Sequence, residues 1–174
     1  MAPIPADTGG DPGEGQQALD HVSRGGDATV RAAADPAFVG PWLAEVLGDP
    51  RWSPCRVARI GSGRSNLTFR VDSAAGAVVL RRPPLGAIAV SAHDMDREQR
   101  ALRALAGTDV PVPVVFASSD ESGPLGVPCY VMELVDGVVA VSGLPAGFAD
   151  RPEQRRDIAY GLLDVLVTLH SVPP

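Results

Sequence analysis

The chain has 174 residues, of which 45% are apolar, and a formal net charge of −6 at pH 7 with a pI near 4.9. This length suffices for one domain with a real core and is too short for two comfortable ones. The acidic balance argues against a nucleic-acid partner and against an anionic membrane surface, because both need concentrated positive charge.

Cysteine usage and hydropathy bear on the location of the protein. Cys55 and Cys129 match no metal-ligand spacing, which favours ordinary reduced thiols in a cytoplasmic protein. No apolar run approaches the ~20 residues of a membrane span, and the N-terminus lacks the pattern of a signal peptide. We therefore expect a protein without a membrane partner.

The N-terminal part of the chain divides into a tail and a helix. Residues 1–34 are rich in Gly, Asp, Ala and Pro, so they cannot bury enough apolar surface to offset the entropy of ordering. We predict a disordered acidic tail there, and then a helix from Pro36 to Leu47 that stops at Gly48. The residues expected near one face of this helix are Phe38, Trp42, Val46 and Leu47.

Short β-rich runs between Gly, Ser, Asp and Pro turns dominate the rest of the chain. The order β–β–β–α–β–β–α argues against a doubly wound parallel sheet, in which strands and helices would alternate, and predicts an α+β fold. The predicted strands cover about 56–60, 67–71, 77–81, 114–117 and 130–135, and the predicted helices about 91–106 and 152–170.

The stretch from Arg59 to Pro84 carries the first chemical signal. It joins a glycine-and-serine loop, a strand, a tight turn and a second strand that ends in Arg81 and Arg82. The loop offers flexible backbone N–H groups, and arginines offer positive charge that does not titrate away. This combination predicts half of a phosphate-binding site.

The helix after this stretch carries an unexpected carboxylate. Met95, Glu98 and Leu102 share the face that should be buried, and a buried charge is costly without a partner. The candidate partner is Arg81, because strand alternation places it on the side opposite Leu80 and Arg82. The alternative is that Glu98 lies at the edge of the apolar stripe and is solvated.

The order of these features resembles the N-terminal lobe of the protein-kinase-like fold, and more narrowly the aminoglycoside phosphotransferase family. The matching strings are GSGRSN, VVLRRPPLG, SAHDMDRE, GTDVPVP and YVMELVDG, within about residues 38–172. They are most similar to the branch related to the kinase domains associated with acyl-CoA dehydrogenases, where arginine at the position of the kinase lysine is usual. The resemblance implies an antiparallel five-stranded sheet with one main helix over 35–137, and a hinge connection and first helix of a second lobe over 138–174.

The resemblance also implies an ATP site and its residues. Arg81 would contact the α and β phosphates, Glu98 would orient it, and the glycine loop would cap the phosphates. Met132 would be the gatekeeper at the back of the adenine pocket and Val79 part of its ceiling, although without the resemblance plain core packing is by far the preferred explanation of both residues. Implied contacts to the adenine edge are the backbone groups of Glu133 and Val135, and the loop residues are Gly61, Ser62, Gly63, Arg64, Ser65 and Asn66.

The end of the chain bears on catalysis. In this family a His-Gly-Asp loop and later metal-binding residues follow a helix that ends in a Leu-His pair; here Leu169-His170 is followed by neither. We therefore expect no catalytic residues and no Mg²⁺ ligands in this chain. The apolar stripe of its last helix, including Ile158, Leu162 and Leu169, would fold back on the small lobe, bind another chain or stay exposed.

Two functions follow from these observations. The first is the ATP-binding portion of a phosphotransferase acting on a hydroxyl of a small substrate, with a hydroxyacyl-CoA as one suggested class. The second is a non-catalytic kinase-like interaction module that self-associates or binds a partner through residues 152–170.

Overall fold

The computed structural model describes residues 28, 33–61, 66–86, 92–138, 147 and 151–173, and of residues 92–94 only the backbone. Its five strands pair antiparallel throughout, in the order β1-β2-β3-β5-β4, which confirms the predicted α+β fold. The elements in chain order are α1 (Pro36–Leu47), a 3-10 turn (Pro50–Trp52), β1 (Cys55–Ile60), β2 (Leu67–Ser73), β3 (Gly76–Arg82), α2 (Ala92–Leu105), β4 (Val115–Ser119), β5 (Cys129–Glu133) and α3 (Pro152–His170).

Helix α1 has the predicted bounds, and Trp42, Val46 and Leu47 of its predicted face pack in or against the core, whereas Phe38 does not. The side chain of Asp35 accepts a hydrogen bond from the Ala37 N–H at 2.9 Å, and Gly48 ends the helix at a φ of 70°, where glycine is favoured. Phe38, expected on the buried face, is 59% exposed, whereas Val39 and Leu43 are fully buried. Val39 and Leu43 are one turn apart and form the side of the helix that packs on the sheet. Phe38 lies about 100° around the helix from Val39 and therefore faces outward.

The main core lies between α1 and one face of the sheet. Leu67, Phe69 and Val71 of β2 alternate with half-buried polar residues, and they pack with Val78 and Leu80 of β3. This alternation is the one expected of a strand with a single face in the core. Further members of the same core are Ala33, Ala34, Trp42, Trp52 and Val131; the first two fall within the segment predicted to be a tail.

Arg82 is a charged residue inside this core, with only 5% of its surface exposed. Its guanidinium donates hydrogen bonds to the backbone carbonyls of Ala33 and, at 3.0 Å, Pro83. Burial lowers the pKa of Arg82 from its ordinary value. The bond to Ala33 ties the segment before α1 to the end of β3, and Arg82 points away from the face that carries Arg81.

Helix α2 covers part of the opposite face of the sheet. It packs against β4 and β5, where Met95 and Leu102 contact a small cluster formed by Val115, Tyr130 and Met132. Because α2 lies over β4 and β5, it leaves the part of this face formed by β1, β2 and β3 uncovered.

Helix α3 follows the last described residues of the hinge region. None of its described residues is buried, and Leu162 and Val167 are 70% and 65% exposed. The apolar stripe is therefore not folded back on the described part of the small lobe. No helix in the described ranges is long and apolar enough to cross a bilayer.

Candidate functional site

The predicted partnership between Arg81 and Glu98 is present in the structure. Arg81 Nη2 lies 2.9 Å from Glu98 Oε1, and the two side chains are 26% and 31% exposed. Arg81 comes from the end of β3 and Glu98 from the second turn of α2, so the ion pair joins the sheet to its helix. Half-burial reduces the solvent screening of this pair relative to an ion pair on the open surface.

Glu98 has a second partner at the end of the glycine loop. The side-chain amide of Asn66 donates to Glu98 Oε2 at 3.3 Å, so each carboxylate oxygen serves a donor from a different segment. Gly61 opens the loop at a φ of 74°, a conformation that glycine adopts without strain. The residues between them, Ser62, Gly63, Arg64 and Ser65, lie outside the described residues.

Strand register places Arg81 in a row of side chains across the whole sheet. Directly opposed residues of antiparallel strands share a face, so the α2 side of the sheet can be read strand by strand. The row containing Arg81 is Ile60, Thr68, Arg81, Tyr130 and Ser118, and the next row is Ala58, Arg70, Val79, Met132 and Val115.

These two rows divide into a covered and an uncovered half. Tyr130 and Met132 lie beneath α2, whereas Ile60 on β1 and Thr68 on β2 are half-buried and do not belong to the cluster that α2 covers. Val79 is buried to 5% exposure between the two halves. Among the described residues, this half of the face carries mixed apolar and polar side chains, with Arg81 at its border.

Arg70 adds a second cation to the uncovered half. Its Nη2 lies 2.8 Å from Asp72 Oδ1, and the hydrogen bond to Asp72 raises the pKa of Arg70. The charge of Asp136, just beyond β5, acts in the same direction on Arg70. The charge of Arg70 is therefore offset by neighbouring carboxylates, and Asp136 brings one of them from the segment after β5.

Tyr130 lies next to Arg81 on the neighbouring strand and is only 1% exposed. Burial raises the pKa of its phenol strongly; the positive charge of Arg81 opposes that rise, and Glu98 adds to it. In the described part of the chain, its hydroxyl and the Arg81 Nε are buried polar atoms with no hydrogen-bond partner. The polar cluster around Glu98 is thus incompletely satisfied.

The residues predicted to contact an adenine ring lie at the end of β5. Met132 is half-buried in the second row, and the Glu133 N–H donates to the Val114 carbonyl at 2.8 Å. The Glu133 carboxylate accepts a hydrogen bond from the Val114 N–H at 3.2 Å, which anchors this end of the strand. Val135 follows outside the sheet and is 63% exposed.

Hydrogen bonds and the ion pair bring together Asn66, Arg81 and Glu98, but the described residues contain no metal-binding group. Within those ranges, no three His, Cys, Asp or Glu side chains are close enough to hold an ion. Two surface depressions of about 420 and 400 Å³ lie beside the β4–β5 hairpin, and neither is lined by a residue of the predicted site. The candidate site is thus an open sheet face.

Sequence reasoning missed Thr68, Arg70 and Tyr130 as members of this face. The signal for Thr68 and Arg70 was the alternation of β2, in which they interleave with Leu67, Phe69 and Val71. Tyr130 gave no such signal, because a tyrosine among Cys129 and Val131 looks like an ordinary core aromatic.

Comparison with known proteins points to one family. A family model described as "Phosphotransferase enzyme family" (APH) matches residues 56–174, which is most of the chain. The crystal structure of a "putative aminoglycoside phosphotransferase" from Ralstonia eutropha JMP134 superimposes with a TM-score of 0.59 at 28% sequence identity. The match covers 78% of this chain and 38% of that one.

Two longer proteins are similar over much of the chain. Acyl-CoA dehydrogenase family member 10 of Mus musculus is 34% identical over 131 residues, which are 75% of this chain and 12% of the mouse protein. "Probable acyl-CoA dehydrogenase IBR3" of Arabidopsis thaliana is 36% identical over 151 residues, which are 83% of this chain and 17% of the plant protein. The chain therefore spans less than a fifth of either relative.

Proposed function

Because this chain belongs to the phosphotransferase enzyme family, we propose that it provides the ATP-binding lobe of a kinase that phosphorylates a hydroxyl group of a small substrate. Residues 35–137 form this lobe, and residues 138–174 form the connection to a second lobe and its first helix. The kinase-like fold is the one the family uses, and nucleotide use is general among kinase-like phosphotransferases.

The observation that carries this proposal is the Arg81–Glu98 ion pair. A cation at the end of a central strand, held at 2.9 Å by a helical carboxylate, is the arrangement that positions nucleotide phosphates in kinases. Arg81 contacts the α and β phosphates, and Glu98 orients its guanidinium. The segment from Gly61 to Asn66 caps the phosphates with its backbone N–H groups.

The uncovered half of the sheet receives the base. Val79 supplies the ceiling of the adenine pocket and Met132 its back wall, while Glu133 and Val135 present backbone groups to the adenine edge. Val135 suits this role, because its N–H lies outside the sheet and makes no hydrogen bond to another described residue. An adenine that accepts from this N–H replaces the water that would otherwise bind there.

The proposed substrate class is a hydroxyacyl-CoA. Two relatives of the chain are named acyl-CoA dehydrogenases, and a phosphotransferase in the same polypeptide as such an enzyme would act on a related alcohol. Mg²⁺ supplies charge neutralisation to phosphoryl transfer in this class of enzyme. The described residues do not form a site that fits the ion.

The test is an NMR titration of the ¹⁵N-labelled chain with ATP, which detects millimolar affinities. We expect saturable shift changes, and Arg81→Ala to weaken binding by about tenfold or more, since a hydrogen-bonded charge contact contributes about 1.5–3 kcal/mol. Arg51→Ala is the matched control: Arg51 also forms a carboxylate pair, with Asp49 at 2.7 Å, but lies in the 3-10 turn outside the site. Equal ATP affinity of Arg81→Ala and Arg51→Ala would contradict the proposal.

A second candidate function is an interaction module, and the exposed α3 favours it. Leu162, Val167 and the neighbouring apolar side chains of α3 present a surface that other proteins normally cover. On this proposal the chain is a stable oligomer in sedimentation velocity, and Leu162→Glu with Val167→Glu makes it monomeric. A monomeric parent chain would remove the self-association form of this candidate.

A further inference from the structure

Two buried polar atoms beside the Arg81–Glu98 pair have no hydrogen-bond partner among the described residues. They are the Arg81 Nε and the Tyr130 hydroxyl, and each has almost no solvent-accessible surface. A buried polar atom without a partner lowers the stability of the folded state, so natural structures rarely keep one without a reason. Here two such atoms belong to residues directly opposite each other on β3 and β5.

The two atoms are chemically complementary. Arg81 Nε–H can only donate, whereas a phenol oxygen can accept one hydrogen bond and donate another. The acceptor available to the phenol is Glu98: its charge and a hydrogen-bonding contact with the hydroxyl both raise the pKa of Tyr130, yet the hydroxyl has no hydrogen bond of normal geometry. One rearrangement therefore satisfies both atoms: Arg81 Nε donates to the Tyr130 oxygen, and the Tyr130 hydroxyl donates to Glu98.

We propose that Tyr130 is a positioning residue that completes this network when nucleotide binds, an inference that rests on the proposed ATP site. Arg81 Nη2 is now held by Glu98 Oε1 at 2.9 Å. When a phosphate draws Nη2 away, Oε1 loses its donor, and the buried Tyr130 hydroxyl replaces it. The guanidinium is then held from behind through Nε while its outer nitrogens bind the phosphate.

In this arrangement the nucleotide-bound chain has more hydrogen bonds than the free chain. In the free chain the two unsatisfied atoms lower the stability of the fold, and in the bound chain both have partners, so the gain contributes to nucleotide affinity. Tyr130 therefore strengthens nucleotide binding at the expense of the stability of the free chain. A tyrosine that served only to fill the core, together with Met95 and Val115, would not link these two quantities.

Tyr130→Phe tests the proposal, because it removes the hydroxyl and keeps the ring. We expect the melting temperature of the free chain to rise by about 2–5 °C, since an unsatisfied buried group is removed. ATP affinity, from the same NMR titration, falls by about tenfold. Tyr160→Phe is the matched control; Tyr160 lies on α3 and is 59% exposed, and both quantities stay at their parent values.

A double variant provides a readout that simple packing would not change. In a Glu98→Gln background, where the acceptor loses its charge, adding Tyr130→Phe weakens ATP binding by less than twofold. Tyr130→Phe with parental ATP affinity, or with a lowered melting temperature, overturns the inference while the ATP site stands. A parent chain that shows no ATP-dependent shifts overturns both together.

Discussion

Asn66 and Glu98 are 32 residues apart in the chain, yet the amide of Asn66 donates a hydrogen bond to Glu98 Oε2 at 3.3 Å. Asn66 is the last residue of the glycine loop, and Glu98 is the carboxylate that also holds Arg81 at 2.9 Å. One carboxylate thus links the loop, the central strand and helix α2. The position of the loop is coupled through Glu98 to the orientation of the arginine.

The first prediction concerns this link. Asn66→Ala removes the donor and releases the end of the loop, so we expect ATP affinity to fall about fivefold, the equivalent of a hydrogen bond of about 1 kcal/mol. Asn66→Asp places two carboxylates in contact, so its loss is larger at pH 7 and diminishes as the pH falls and one proton is shared. NMR titrations at pH 5.5 and 7.5 measure both effects. A pH-independent Asn66→Asp variant would show that the two side chains do not interact.

The second prediction concerns the strength of the Arg81–Glu98 pair. A double-mutant cycle with Arg81→Met and Glu98→Gln, measured by urea unfolding, should give a coupling of roughly 1 kcal/mol, since both partners are largely shielded from water. The Arg100–Asp96 pair on the same helix is the control, because its side chains are 70% and 56% exposed at 3.4 Å. Its coupling should be close to zero, and equal couplings for the two pairs would argue against any effect of burial.

The third prediction contrasts two neighbouring arginines on β3. Arg82→Met leaves the buried Ala33 carbonyl without its donor, so we expect the free energy of unfolding to fall by about 2 kcal/mol while ATP affinity is unchanged. Arg81→Met, one residue earlier, should do the reverse and mainly weaken ATP binding. Urea unfolding and the ATP titration distinguish the two. If both variants changed the free energy of unfolding and the ATP affinity to similar extents, Arg82 would not serve stability alone and Arg81 would not serve mainly binding.

The fourth prediction concerns Cys129 and alkaline pH. Burial raises the pKa of the Cys129 thiol from 9.0 to about 12, against the weaker opposing effects of Arg82 and a backbone hydrogen bond. As the pH rises, the unfolded chain loses this thiol proton before the folded chain does. The contribution of the neutral thiol to the free energy of unfolding is therefore fully present below pH 9 and is lost between about pH 9 and 12. From pH 8 to pH 10 the contribution of this thiol to the free energy of unfolding should fall by roughly 1 kcal/mol.

Urea unfolding of the parent and of Cys129→Ala at both pH values isolates that contribution. The variant should lose less stability than the parent over this interval, although its absolute stability is lower because of the cavity it creates. Cys55→Ala is the control. Burial also raises the pKa of the Cys55 thiol, but Cys55 is only half-buried, so its removal should change the pH dependence less. Identical pH dependence in the parent and Cys129→Ala would exclude a buried neutral thiol.

Local sequence patterns predicted the elements of this fold well. The bounds of α1 follow from Asp35, Pro36 and Gly48, which cap, start and stop a helix through interactions within a few residues. The strands were found within one or two residues of the predicted ends for the same reason, because alternation and turn residues act locally. Phe38 was placed wrongly, because the face that a helix buries depends on what lies against it.

Only part of the candidate site could be predicted from the sequence. Arg81 and Glu98 could be paired because strand alternation and helical periodicity each indicated the direction of one side chain. Tyr130 and Arg70 could not be assigned to the site, since their place depends on which strands are neighbours. Strand β5 pairs with β3 although β4 precedes it in the chain, and this crossover is what places Tyr130 opposite Arg81.

By itself, the sequence determined the types and limits of the elements, the family and the pair of residues at the centre of the site, because these depend on short-range periodicity and on motif spacing. Only the tertiary structure decided that Glu98 is shared between Arg81 and Asn66, and that the Tyr130 hydroxyl is left without a partner beside them. It also decided that Arg82 is buried against Ala33. These relationships join residues 17 to 49 positions apart, and strand order and helix packing, which no local pattern encodes, bring them together.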